Sequence, residues 1–185
     1  MSTPRDRALE AAIDLLGTQG LRSLTHARVD ERAGIPKGST SNYFRTRAAL
    51  LEGVGGWVAD HERGDFQPGF DPAIATADDL IDAFCELIEA ETGPFRTRTL
   101  ARYVLFLEGT HNEALRAASI RDRKRLEQWI QGILTAMGAP SPVPATKALM
   151  ACGDGLVLHR VTVDPDAELR PALAIVVNAC LRGEV

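Results

Sequence analysis

The stretch Lys37–Tyr43, KGSTSNY, carries one cation, a glycine, the hydroxyls of Ser39, Thr40 and Ser41, the amide of Asn42 and the phenol of Tyr43. These are short hydrogen-bonding groups with hardly any apolar surface. A helix built from them has little core to bury, so its outer face needs a polar partner. The residues before it set its frame. Thr25 offers a capping oxygen to a helix in which Ala27, Val29 and Ala33 form a small apolar side. Gly34 can take the left-handed conformation that stops that helix, Ile35 is an apolar plug, and Pro36 suits the first turn of the next helix. Leu24 to Leu51 therefore reads as a helix, a tight turn, a short polar helix and the start of another. This is a helix-turn-helix, whose second helix enters the major groove of duplex DNA. Lys37, Ser39, Thr40, Ser41 and Asn42 are expected to face that groove, with Asn42 a candidate for adenine pairing.

Other chemistry finds little support. The chain has no phosphate-binding glycine loop, no GxGxxG after a strand, no HExxH and no GxSxG. His26, His61, His111 and His159 are isolated in sequence, and neither they nor Cys152 show metal-ligand spacing. Asp30-Glu31 and Asp78-Asp79 read as surface and helix-start charges rather than an acid–base pair. Catalytic residues, metals and cofactors are therefore not expected. Cys85, Cys152 and Cys180 are odd in number and far apart, which points to reduced, buried thiols in a cytoplasmic protein rather than a disulfide framework. No opening hydrophobic region and no run of ~18 apolar residues suggests a signal peptide or a membrane span.

The net charge of −4 is unevenly spread. Residues 1–51 hold eight Lys and Arg against five acids, and the remainder holds 13 against 20. A basic segment on an acidic body suits phosphate binding.

The pairs Gly20-Leu21, Leu24-Thr25, Ala33-Gly34, Lys37-Gly38, Tyr43-Phe44, Thr46-Arg47 and Leu50-Leu51 give the first 51 residues a pattern that resembles the DNA-binding domain of TetR-family regulators. The resemblance implies an all-α fold, with a three-helix DNA-binding domain over 1–47 and a helical regulatory and dimerisation domain over 48–185. It also implies a homodimer on double-stranded operator DNA and a small-molecule effector. Thr25, Tyr43, Thr46 and Arg47 match the family's phosphate contacts, and Gly38 lies in its groove-facing segment. Three positions depart from the pattern: Ser41 is often aromatic in the family, Arg45 often proline, and Asp30 usually small and apolar. A different class also fits, an all-helical ligand-binding protein or enzyme with a vestigial helix-turn-helix. Salt-sensitive retention on heparin or duplex DNA separates the two.

Several helices must position these residues. Thr3-Pro4 opens the first, whose Ala8, Leu9, Ala12, Ile13 and Leu16 share one face, with Gly17 and Gly20 closing it. After Thr46, a helix through Leu50, Leu51, Val54, Trp57 and Val58 contains Gly53, Gly55 and Gly56 and should be locally soft. A loop is expected over 63–75 and a helix after Thr76. Tyr103–Leu107 is apolar on nearly all sides and should be central to the body, and a long helix should span 112–137. The cations of Arg121–Arg125 read as a solvated surface. Trp57, His61, Phe84, Tyr103, Phe106 and Trp129 come from several helices and are candidates for an effector pocket. The last two helices, about 145–163 and 170–182, have more apolar surface than one core face requires. Leu149, Gly153, Leu156, Val157, Leu173, Val176, Val177 and Cys180 are thus candidates for a two-fold interface.

Overall fold

Thr3 caps the first helix. Its hydroxyl accepts from the Asp6 amide at 3.2 Å and the Asp6 carboxylate accepts from the Thr3 amide at 3.1 Å, which opens α1 (Pro4–Gln19). The structure is a computed structural model that describes residues 2–66 and 74–184. Gly20, at φ 74°, ends α1, and a 3-10 turn over Leu21–Ser23 follows. Thr25 caps α2 (His26–Ala33) by accepting from the Arg28 amide, and Gly34 stops it in the left-handed conformation at φ 61°. The next helix, α3 (Ser39–Tyr43), begins later than Pro36 suggests. Gly38 stands before it at φ 91°, which no helix running on from Pro36 can contain. Thr46 then accepts from the Ala49 amide at the head of α4 (Arg47–Phe66). The expected loop over 63–75 falls largely on residues 67–73, outside the described residues.

The remaining helices are α5 (Ala77–Thr92), α6 (Arg96–Glu108), α7 (Glu113–Ala136), α8 (Pro142–Thr162) and α9 (Arg170–Arg182). All described elements are helical, and none is long and apolar enough to cross a membrane. By packing, the chain forms two compact units, residues 1–63 with 95–121 and residues 64–94 with 122–185.

In the first unit, Leu9, Leu16, Leu24, Val29, Leu50, Val54 and Leu105 form one buried core. Gly17 lies inside α1 rather than closing it. A Cβ there would stand 2.1 Å from the Thr97 carbonyl oxygen, so glycine is what lets α6 pack directly on α1. α6 thus belongs with the helix-turn-helix, with Ala101 and Leu105 inward and Leu107 exposed. A five-residue apolar run does not reveal which side faces in. Glycine has a similar use in α4. A Cβ at Gly53 would meet the Phe44 ring at 2.5 Å, one at Gly55 would make an ordinary contact with Leu115, and one at Gly56 would meet nothing.

Asp30 holds the start of α3. It is only 3 % exposed, so the surface role expected for it is wrong. Its carboxylate accepts from the Gly38 amide at 2.6 Å and the Thr40 amide at 2.8 Å, and from the Thr40 hydroxyl at 2.6 Å. Burial pushes the carboxyl up, but the Thr40 hydroxyl, the two amides and the charge of His26 outweigh it and hold the group below its ordinary value of 3.8.

In the second unit, Thr76 and Asp79 form the reciprocal cap that opens α5. Leu80, Phe84 and Ile88 of α5 are buried, and α5, α8 and α9 pack on one another. Arg170 of α9 grips Asp78 and Asp82 of α5. This packing corrects most of the expected interface. Leu149, Gly153, Val157, Leu173, Val177 and Cys180 are buried within the chain, because a helix packed on both α5 and its neighbour turns its most continuous apolar stripe inward. Gly153 sits against the Phe84 ring, and Cys180 donates to the Ala145 carbonyl. Leu156 and Val176 are half-buried, whereas Leu158 (47 % exposed) and Ile175 (71 %) face outward. Arg123 is paired with Asp154. Burial raises all three thiols, which keeps Cys85, Cys152 and Cys180 protonated at neutral pH.

Two sets of stability measurements follow. Asp30→Ala strands two amides and a hydroxyl and should cost about 2–4 kcal/mol in denaturant melts. Because the folded carboxyl lies below 3.8, its stabilisation is complete above that value and is lost as pH falls through the depressed one. Asp30→Asn should therefore be less stable at neutral pH and flatter on the acid limb, and an unchanged acid limb would contradict the assignment. Gly53→Ala should destabilise by about 1–3 kcal/mol through overpacking. Gly56→Ala should stabilise by about 0.5–1 kcal/mol.

Candidate nucleic-acid interface

The outer face of the helix-turn-helix is polar. Lys37, Ser41, Asn42 and Tyr43 are exposed and Ser39 is half-buried. Thr40, expected in the groove, is fully buried instead. Thr40 and Phe44 are one turn apart and both turn inward, and the Thr40 hydroxyl is committed to Asp30. The Gly38 amide is likewise taken by Asp30, so Gly38 serves the turn through its positive φ rather than the groove through its backbone donor.

Two further contacts tie the ends of this motif together. The His26 ring donates from Nε2 to the Phe44 carbonyl at 2.6 Å, which joins the start of α2 to the exit of α3. The expectation for His26 was a local cap or backbone contact. It does bond backbone, but 18 residues away. Arg47 reaches back from α4, donating from Nη2 to the Leu21 carbonyl at 2.9 Å and from Nε to the Leu24 carbonyl at 3.5 Å. Thr25 and Thr46 are exposed on this edge, each already accepting from its own helix.

The excess charge is only partly free. Arg32 pairs with Asp14, Arg28 donates to Gln19, and Arg5 lies 5.4 Å over the Phe44 ring. Sequence reasoning missed Asp30. A polar residue at a normally apolar position, ten residues from a threonine in the facing helix, was the signal that could have found it.

The effector candidates divide between the units. In the first, Trp57 and His61 stack with centroids 3.4 Å apart, and Tyr103 meets Phe106 edge-on at 6.2 Å. Trp57 and His61 line an open cleft of about 630 Å³ between α1 and α4, together with Asp6, Glu10, Glu52 and Asp60. Arg5 lines it too, and four carboxylates against one guanidinium leave the cleft acidic. Glu62 and Arg102 form a mostly buried ion pair at 2.8 Å. Phe84 and Trp129 belong to the second unit, Phe84 buried beside Gly153 and Trp129 half-buried. Among the described residues, no group of three histidine, cysteine or acidic side chains is placed to hold a metal.

Known proteins supply the context. No curated protein matches the chain. The fold is shared with a transcriptional regulator from Rhodococcus sp. RHA1 at TM-score 0.80 and 20% identity, covering 98% of this chain and 97% of that one. It is shared also with a TetR-family member from Streptomyces coelicolor A3 (TM-score 0.72, 23% identity, 96% and 98% covered). A third is the multidrug binding protein EbrR complexed with ethidium (0.73, 22%, 96% and 99%). Family models match at both ends, one for the tetR family of bacterial regulatory proteins over residues 8–54 and one for the tetracyclin repressor-like C-terminal domain over residues 75–183. With family models matched at both ends, the C-terminal one over more than half its length, the chain belongs to the TetR family of bacterial regulators.

Proposed function

We propose that this protein is a transcriptional repressor that binds a palindromic operator as a homodimer and loses operator affinity when a small molecule binds its regulatory part. The observation that carries the reading is α3 itself. Its exposed residues are all hydrogen-bonding, and its inward side is pinned by Asp30 rather than by apolar packing. A helix held rigidly with a polar face outward is suited to reading base edges. In this reading Lys37, Ser39, Ser41 and Asn42 meet the groove, and Thr25, Tyr43 and Thr46 meet the backbone. Residues 1–47 bind DNA, and residues 48–185 sense the effector and dimerise.

The dimer is proposed to form through the outward faces of α8 and α9. Ala151, Gly155 and Leu158 recur at helical spacing and are exposed, as is Ile175. A Cβ at Gly155 would meet nothing, so a second helix can approach closely there. The effector reading is supported by the EbrR complex, in which a relative of the same fold holds ethidium. Trp57, His61, Tyr103, Phe106, Phe84 and Trp129 remain the candidates for contact, with Trp57 and His61 lining the one cleft described above.

Selection of bound sequences from randomised duplex DNA tests the function. An inverted repeat with half-sites about 10 base pairs apart, or a multiple of the helical turn, is expected. Enrichment of no sequence would remove the repressor reading. Asn42→Ala should alter the preference at one position of each half-site, by about 1–3 kcal/mol of discrimination. For the dimer, Leu158→Asp and Ile175→Asp should sediment as monomers and bind the full site weakly. If both stay dimeric and keep full-site affinity, the interface is elsewhere.

A further inference from the structure

Arg47 has the position of a family phosphate contact, yet its fork is occupied inside the protein. Nη2 and Nε both point at carbonyl oxygens of the 3-10 turn and its end, Leu21 and Leu24. Two of the guanidinium's five donors are used in this way, and turning that edge outward to a phosphate would strand both carbonyls. Among the eight cations of residues 1–51, Arg5, Arg28 and Arg32 are also engaged. Arg7, Arg22, Lys37 and Arg45 are exposed and, among the described residues, have no hydrogen-bond or ion-pair partner.

Two of those four stand beside the backbone that His26 and Arg47 hold. Arg22 lies in the turn whose Leu21 carbonyl Arg47 holds. Arg45 lies between Phe44, whose carbonyl His26 holds, and Thr46, which caps α4. The bonds of His26 and Arg47 fix the backbone on both sides of these arginines, so their side chains leave from a rigid edge that also bears Thr25 and Thr46. We propose that Arg22 and Arg45 neutralise operator phosphates, and that Arg47 is a positioning residue that holds the edge from which they project. The assignment rests on the DNA-binding reading above and makes it more specific. It also gives a role to the departure from the family pattern at Arg45, where a proline would supply no charge.

Counterion release separates these roles, because each phosphate neutralised adds about 0.9 to the slope of log affinity against log salt. The probe is the duplex obtained by selection, titrated by fluorescence anisotropy with the full chain at several salt concentrations. Arg22→Ala and Arg45→Ala should each flatten the slope by about 0.9 and the double variant by about 1.8, with unchanged melting temperatures. Arg47→Ala and Arg47→Lys should both keep the parent slope and melt lower by about 3–8 °C, since lysine restores the charge but not the fork. An Arg47→Ala variant that flattens the slope and melts like the parent would overturn the assignment. So would parent slopes in both Arg22→Ala and Arg45→Ala. A parent protein that binds no duplex overturns the DNA reading and the assignment with it, whereas a parent that binds normally leaves the variants to judge the assignment alone.

Discussion

The DNA-facing half of this protein depends on one carboxylate. Asp30 accepts three hydrogen bonds at the start of α3, from the amides of Gly38 and Thr40 and from the Thr40 hydroxyl. Five residues are too few to make a helix in isolation, because nucleation is unfavourable until several bonds have formed. Nor can α3 be held by apolar burial, since its sequence, Ser-Thr-Ser-Asn-Tyr, supplies almost none. A buried charge with both its oxygens engaged fills that gap. It satisfies amides that the helix start leaves open, and it does so directionally, which a greasy contact does not. The desolvation that burial imposes is outweighed by those bonds, as the depressed carboxyl pKa records.

The same logic explains why the motif is fastened by polar contacts at its other corners. His26 holds the Phe44 carbonyl at the exit of α3, and Arg47 holds the turn before α2. The outward face must stay polar to meet a polar partner, so the inward face of so short a helix can offer only Thr40 and, one turn on, Phe44. Phe44 in turn needs Gly53 in order to seat against α4. Softness in α4 was the expectation for its three glycines. Gly53 is instead a packing requirement, and only Gly56 lies in open space. Any account of α4 as a flexible link therefore rests on Gly55 and Gly56, with Gly53 excluded from it.

What was legible in the sequence was local. Thr3, Thr25, Gly34 and Thr76 each act on backbone within four residues, and each opens or closes its helix as expected. The helix over Arg170–Arg182 matches its expected bounds, because Pro171 and Gly183 punctuate it. What was not legible needed a partner distant in sequence. Asp30 looks like a surface charge until α3 folds over it. Thr40 looks like a base reader until Asp30 claims its hydroxyl. Gly17 looks like a stop signal until the Thr97 carbonyl arrives beside it. The family pattern located the recognition segment but not which of its side chains turn inward.

The last two helices show the same limit in apolar form. α8 carries apolar residues around most of its circumference, so periodicity alone assigns neither face to the core. Packing against α5 and α9 decides it, and Gly153 lies beside the Phe84 ring on the same buried side as Leu149 and Val157. Gly155, two positions on and so on a different side of the helix, is left open beside Leu158. A buried stripe and an exposed apolar strip thus share one helix, with Leu149, Gly153 and Val157 on the first and Gly155 and Leu158 on the second.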